Sequence, residues 1–475
     1  MKKIILMIAV IICFSNISKA ENVVVDREKN DSLSLSIHNN VSLIRDVRNV
    51  TLPSGKNTIL FEDVSEQMKS ESVIVNTKDV TVIEQNYNFE LLSPENMAKA
   101  NVGKIVKTVM WDPDKLRNVF GKARILEVYA GKPILQFEHG IEFDYPGRII
   151  WDNIPENLRT KPSLNIGVNV LESGDKVFDL MYLTSGLRWT TNYVAEFIND
   201  TELNLKAWIG IQNTTGLDYK NAQVQLVAGD ANIVQDVMRS RPMMLMNSSK
   251  AALDEVSYNS VMYPSEESVG EYHVYSLPEK ITIENNQTKQ VSLLAKDKIK
   301  YIKEYRIASP IYLAMREGTE DFKKLNTDVY IKITNIKEDN LGEPLPKGMM
   351  RFYEHDSKGN IIFAGENNFK SLAVGDTAEL KIGNSFDVTA SGKVINQNKV
   401  SSTTVEKEVN ITFMNAKTAS VNVVFNQFIR DDWEVMSSNV EGVKVDANNM
   451  QWTVNVPAQG SAILNFKVRM SKIEK

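Results

Sequence analysis

Apolar and polar residues alternate with a period of two along most of the chain. "AWIGIQN" puts Ala207, Ile209 and Ile211 on one side, and "AQVQLVAG" does the same with Ala222, Val224, Leu226 and Ala228. "TDVYIKITN" and "VNITFMN" repeat the pattern further on. Side chains leave a strand on alternate faces, so each run predicts a strand with one buried side. Turn-forming clusters separate the runs: "ESGDK" at 172–176, "ENNQTK" at 284–289 and "HDSKGN" at 355–360. The last predicts a hairpin between "MMRFYE" and "IIFAG", and "SGDK" reads as another hairpin turn. The class is mainly β: antiparallel sandwich and barrel modules with few short helices.

Helical signals are sparse. "SPENMAKA" offers Ser93 as N-cap, Pro94 at the first helical position and Glu95 at the positive end of the dipole, which predicts about two turns. "LRNVFGK" and the stretch around "SKAALDEV" each suggest a further turn or two. Residues 21–100 form an N-terminal β region. Residues 101–160, with glycines at 103, 121, 131, 140 and 147, predict a small bent barrel. A sandwich region spans 161–324, interrupted at 236–270 where the alternation gives way to Ser, Met and Pro in a flexible insertion. Residues 325–475 predict an immunoglobulin-like sandwich.

"TSGLRWTTNYVAEF" shows what the alternation implies for aromatic residues. On a strand, Leu187, Trp189, Thr191, Tyr193, Ala195 and Phe197 share one face, and Arg188, Thr190, Asn192 and Glu196 the other. Sheet-on-sheet packing needs such a face of large rings and small residues. The alternative is an aromatic platform for a ligand, with Trp189 and Tyr193 as its floor.

The same stretch carries a resemblance. With "TGLDYKNAQVQLVAGDAN", "EYHVYSLPEKITIENNQTKQVSLL", "VSLIRDVRNVTLPSGKNTILFEDV", "IPENLRTKPSL", "LGEPLPKGMMRFYEHDSKGNIIFAGE" and "GNSFDV", it resembles the bacterial family known as domain of unknown function 4139, related to mucoidy-inhibitor-like proteins. The matches run in order over most of the chain. The resemblance implies an exported β-rich protein with no established activity, and it brings no catalytic or binding residues. "ENNFKSLAVGDTAEL" departs from the more charged run found in similar proteins.

Residues 1–20 agree with export: Lys2 and Lys3, an apolar run from Ile4 to Phe14, then Ser18 and Ala20 before Glu21. This is the pattern of a secretory signal cut between Ala20 and Glu21, with an apolar run too short to span a bilayer. A periplasmic or secreted location is expected, with no transmembrane segment after cleavage. Cys13, the one cysteine, lies in this segment. Removing it with Lys2, Lys3 and Lys19 leaves 52 basic against 60 acidic residues, without long single-sign runs. Nothing in that balance suggests nucleic acid.

Candidate chemistry is thin. His38, His139, His273 and His355 are far apart and form no zinc-binding motif, so no metal and no cofactor is expected. Glu138, His139, Glu142, Asp144 and Asp152 are the densest acidic group, and Glu138, Glu142 and Asp144 are the residues a hydrolase of an envelope polysaccharide would use. Ser173 and Lys176 have the Ser-x-x-Lys spacing of penicillin-binding enzymes but sit in a turn, where the nucleophile lacks its helix. "KDKIKYIKEYR" offers Lys298, Lys300 and Tyr301 to an anionic envelope partner, or protects a sheet edge with lysines. Met238, Met243, Met244 and Met246 suit an adaptable docking loop. The reading that emerges is a non-enzymatic envelope module that binds a protein or a glycan, with the polysaccharide hydrolase as its alternative.

Overall fold

The computed structural model describes residues 21–27, 30–88, 92–155, 158, 160–229, 263–315 and 321–472. The expected signal at 1–20, Ala20 included, lies outside these residues, as does the methionine-rich part of the insertion with "SKAALDEV". Glu21 opens the first strand, Glu21–Val25. The described residues are mainly β, in several sheets with one short α-helix. No helix among them is long and apolar enough to cross a membrane.

The chain divides into two compact units. Of the described residues, those within 21–189, 211–229 and 265–289 form the first, and those within 190–210, 263–264 and 290–472 the second. In the first, Glu21–Val25, Gly55–Glu62, Ser163–Val170 and Val80–Asn88 make a four-stranded sheet in that order. A larger sheet centres on Asn30–Ile37, Ser42–Leu52 and Gly174–Thr184. On Ser42–Leu52 the inward residues alternate perfectly, and two of them are charged: Asp46 and Arg48, in phase with Ile44, Val50 and Leu52. Arg48 is wholly buried. Its Nη2 donates to Asp46 Oδ2 at 2.8 Å, and its Nη1 donates to the carbonyls of Val25 and Glu62 at 2.9 and 2.7 Å. A guanidinium in the core is tolerable only with every donor engaged, and here it ties the larger sheet to the backbone of the smaller.

The "SGDK" turn corrects one expectation. It is no hairpin: Ser163–Val170 pairs with Gly55–Glu62 and Val80–Asn88, while Gly174–Thr184 pairs with Ser42–Leu52 and Ile74–Thr77. Both strands have their edges filled by others, so the turn crosses between sheets. "LRNVFGK" also differs, since Arg117–Tyr129 is a strand. The spacing of Leu116, Val119 and Phe120 imitates a helical stripe, but neither Val119 nor Phe120 is buried. At 265–269, within the span expected to be a flexible insertion, Ser265–Val269 pairs with Tyr272–Ser276.

In the second unit, strands from Ile302–Ala308 to Gly460–Ser471 form a nine-stranded sheet that curls into a nearly closed barrel. Phe413, Phe425, Trp452 and Phe466 fill it, with Trp452 stacked on Phe466 at 4.5 Å. Gly348–His355 and Ile361–Phe369 leave this sheet and form the expected hairpin in a five-stranded sheet. There Gly348–His355 runs parallel to Leu187–Phe197, Thr191 facing Gly348. A Cβ at Gly348 would lie 2.1 Å from the Thr191 carbonyl oxygen, so this close approach needs glycine.

Two stability outcomes follow. Arg48→Met takes from buried Asp46 its nearest cation and from the Val25 and Glu62 carbonyls a donor, and should cost about 3–5 kcal/mol, read as a lower urea midpoint with unchanged slope. Gly348→Ala should cost about 1–3 kcal/mol and weaken amide-exchange protection along 191–196, while Gly383→Ala, with no atom near its Cβ and no left-handed backbone, leaves that protection intact.

Candidate functional site

The most unusual surface belongs to a small sheet in the first unit. Its order is Gly140–Glu142, Lys132–Phe137, Arg117–Tyr129, Ile105–Asp112 and Arg148–Ile150. One face is a core: Val106, Ala123, Ile125 and Leu135 are buried, with Phe137, Tyr145, Ile149 and Trp151 packed against them. The helix Pro94–Ala100 lies by this face, capped as expected by Ser93, whose Oγ accepts from the Asn96 N–H at 3.1 Å, and it buries Met97 and Ala98. A cavity of about 480 Å³ is lined by Pro94 and Ala98 together with Leu135, Tyr145 and Trp151. The sheet does not close into the expected barrel. Its end strands are three residues long, and neither is paired with the other.

Two strands outrun the rest. Lys132–Phe137 pairs with Arg117–Tyr129 only from Arg124 onward, and Arg148–Ile150 pairs with Ile105–Asp112 only at Lys107–Val109. Beyond these limits the hairpin continues as a two-stranded ribbon, with Met110 opposite Val119, Trp111 opposite Asn118 and Asp112 opposite Arg117, just past Val109, which faces Phe120 on one side and Arg148 on the other. Among the described residues no strand pairs with the outer edge of 117–123. Trp111 and Phe120 are on one face and Met110 and Val119 on the other, and all four are exposed: Phe120 by 68% and Trp111 by 55%. The Trp111 face continues with exposed Ile105 and Ile150 and with Lys107, Lys122, Arg124 and Arg148.

The turn at the ribbon's tip is built by Asp112. Its Oδ1 accepts from the N–H groups of Asp114 and Lys115 at 3.0 and 3.2 Å, and Lys115 Nζ donates to Oδ2 at 3.0 Å. The Lys115 ammonium, followed by the backbone donors, holds the Asp112 carboxyl below its ordinary range. In Ile105–Asp112 and Arg117–Arg124 this carboxylate is the one acid beside four bases, Lys107, Arg117, Lys122 and Arg124.

The acidic group expected to serve hydrolysis lies on the same sheet but does not converge. Glu138 is exposed, Glu142 Oε1 meets His139 Nε2 at 2.8 Å, Asp144 pairs with Lys132, and Asp152 pairs with Lys107 at 2.7 Å. Each paired carboxylate has its own partner. Trp189 and Tyr193 are core residues rather than a platform. Trp189 is 5% exposed and packs near Tyr275; Tyr193 is fully buried, donates to the Pro346 carbonyl at 2.6 Å and meets Phe369 edge-on at 4.9 Å. Tyr301 is buried too, its hydroxyl donating to the Asn199 carbonyl at 2.8 Å, and burial raises its pKa above the usual phenol value. Lys300 pairs with Asp339 at 3.3 Å, and Lys303 with Glu354 at 3.3 Å. Lys298 is exposed at a left-handed break in Thr288–Lys300, an edge strand, so lysines here guard an edge. His273 and His355 each pair with a glutamate, Glu266 and Glu196. No group of three or more metal-ligating side chains occurs among the described residues.

A polar cleft of about 640 Å³ in the first unit was not visible in the sequence. Asp26, Arg27, Asp63, Lys161, Asp218 and Lys280 are among its lining residues. Arg27 Nη1 donates to the Asp218 carbonyl at 2.8 Å, and the guanidinium lies 5.0 Å from the Tyr219 ring centroid. Lys161 pairs with Asp63 at 2.9 Å. Burial raises the pKa of Tyr182 and Tyr219 beside Arg27, so both stay protonated phenols. These residues come from distant segments with no shared motif. Among the cleft's charges Lys161 and Asp63 pair, while the buried Nε and Nη2 of Arg27 make no hydrogen bond among the described residues.

The fold and this surface define a multi-sheet β protein with an exposed apolar and basic ribbon. Searches against protein-family models and curated proteins find no match for the chain.

The Asp112 turn gives a pH outcome. Because folding depresses this carboxyl, its contribution is complete above the ordinary aspartate pKa and is lost as the pH falls through the lower folded value. Protection of the Asp114 and Lys115 amides, taken relative to the intrinsic exchange rate at each pH, should therefore fall under acid, and Asp112→Asn should lower it at neutral pH while leaving Arg124–Tyr129 protected.

Proposed function

We propose that the chain is an exported bacterial envelope protein, periplasmic or secreted, that works by binding rather than by catalysis, with the exposed ribbon of the small sheet as its contact with a protein or glycan partner. The observation that carries this reading is the ribbon itself: two aromatic and two aliphatic side chains exposed on both faces of a hairpin whose outer edge is open. A soluble surface rarely keeps such a patch without a partner to cover it. The signal-like first twenty residues and the resemblance to the domain of unknown function 4139 family support the envelope setting. The hydrolase alternative draws on Glu138, Glu142 and Asp144, and their separate partners give it no acid and base pair to work with.

Site-specific photo-crosslinking in the native envelope tests the reading. A photoreactive side chain at Phe120 should give a discrete adduct, and one at Asn398, exposed in the second unit, should not. Adduct-free Phe120, together with turnover of envelope glycan that vanishes in Glu142→Gln, would overturn it in favour of the hydrolase.

A further inference from the structure

We infer that the outer edge of Arg117–Lys122 accepts an extended polypeptide as an added strand, and that the segment it selects has large apolar residues at its centre and an aspartate or glutamate near each end. This rests on the reading of the ribbon as the contact surface and deepens it. Three observations lead to it.

The first is the backbone. Arg117 to Ala123 form hydrogen-bonded pairs with Ile105–Asp112 on one side, and among the described residues have no neighbour on the other until Lys132–Phe137 begins at Arg124. The opening is about 23 Å long at ~3.3 Å per residue, enough for a seven-residue strand. Free N–H and C=O groups in a row are a template for strand addition.

The second is side-chain chemistry. Basic residues alone would blunt an edge against pairing. Here Phe120 and Val119 are exposed at the centre, one on each face, with Trp111 and Met110 beside them across the ribbon. An added strand would lay alternate side chains beside these residues and bury them.

The third is charge. Arg117 and Lys122 bracket the apolar centre, and the strand pair holds four bases against Asp112, which is engaged in its own turn. A second copy of the chain offers this edge no acid, since Arg117–Lys122 contains none, and because Arg117 and Lys122 lie on opposite faces an added strand meets them with residues five positions apart. Acids at those positions make the complementary pairing.

The test uses the full chain and a fluorescent six-residue peptide with a central leucine–valine pair, flanking threonines and glutamate at both ends, five positions apart as Arg117 and Lys122 are. Its lysine-ended counterpart, phosphatidylglycerol vesicles and polygalacturonate serve as competing probes. The glutamate-ended peptide should bind by anisotropy and slow amide exchange at 117–122, and the lysine-ended one should bind at least tenfold more weakly. Arg117→Glu combined with Lys122→Glu should invert that preference; all altered side chains are exposed, and unchanged circular dichroism checks the fold. Equal binding of both peptides, or binding without slowed exchange at 117–122 in the unaltered chain, would overturn strand addition. Binding of vesicles or polygalacturonate alone, lost in Phe120→Ser, would also overturn strand addition while leaving the ribbon as the contact surface. The contact-surface reading itself falls only if Phe120→Ser changes none of these bindings.

Discussion

In a chain built almost wholly of strands, each backbone N–H and C=O taken out of water must find a partner on a neighbouring strand, since an unpaired group in the interior costs as much as a lost hydrogen bond. The single cysteine rules out an internal disulfide, so sheet ladders and the cores between them are the ties that hold the fold. Several sheet edges are guarded. Gly140–Glu142, Arg148–Ile150 and Gly442–Lys444 end their sheets with only three residues each, and the long edge strand Thr288–Lys300 carries Lys296, Lys298 and Lys300. Short or charged edges discourage pairing with other chains. The ribbon at 110–123 departs from that pattern, open along one side and apolar at its centre, as does the edge strand Ile361–Phe369 with Ile361, Ile362 and Phe363 exposed.

A second constraint fixes register. Asp46 and Arg48 share the buried face of Ser42–Leu52 with Ile44, Val50 and Leu52. A slip of one residue would turn all of them to the other face and bring Arg45 and Asn49 inward, without the carbonyls of Val25 and Glu62 that receive Arg48. The ion pair is thus a poor source of stability and a strong selector of one pairing, a role attested for some buried polar groups. His355 plays a milder part in the second unit. Its hydrogen bond to Glu196, then that to the Gly359 carbonyl, raises its pKa, so the link it makes is fully formed below the ordinary histidine value and fades as the pH climbs through the raised one.

Much of this was legible in the residues. The two-residue alternation at 187–197 sent Trp189, Tyr193 and Phe197 into the core, and Ser93 with Pro94 marked a real helix start. Local signals were readable because they depend on neighbours in sequence. The charged pair at Asp46 and Arg48 was also present in the pattern, as two charges in phase with an apolar stripe, and that phase was the clue that could have found it. The Arg27 cleft gave no such clue, because its walls come from segments far apart. The ribbon was hardest. Leu116, Val119 and Phe120 have helical spacing, and only the pairing of Arg117–Tyr129 with Ile105–Asp112 shows that Val119 and Phe120 belong to opposite faces. Which strands extend beyond their neighbours is a property of the whole sheet, written in no single segment.

The ribbon's charges also act differently from its apolar centre. The whole chain is acidic, with 60 acidic against 55 basic residues, so an acidic segment meets local attraction here on a chain of its own sign. Arg117 and Lys122 are five residues apart, about 17 Å on a strand. That exceeds the screening length of about 8 Å at physiological ionic strength. Each base therefore answers to its own acid, and a partner with correctly spaced acids gains at both ends, while one shifted along the edge gains at one. The apolar centre cannot make that distinction, since burying Val119 and Phe120 depends on area rather than on sign. Affinity would come from the ladder and the rings, and register from the two charges that frame them.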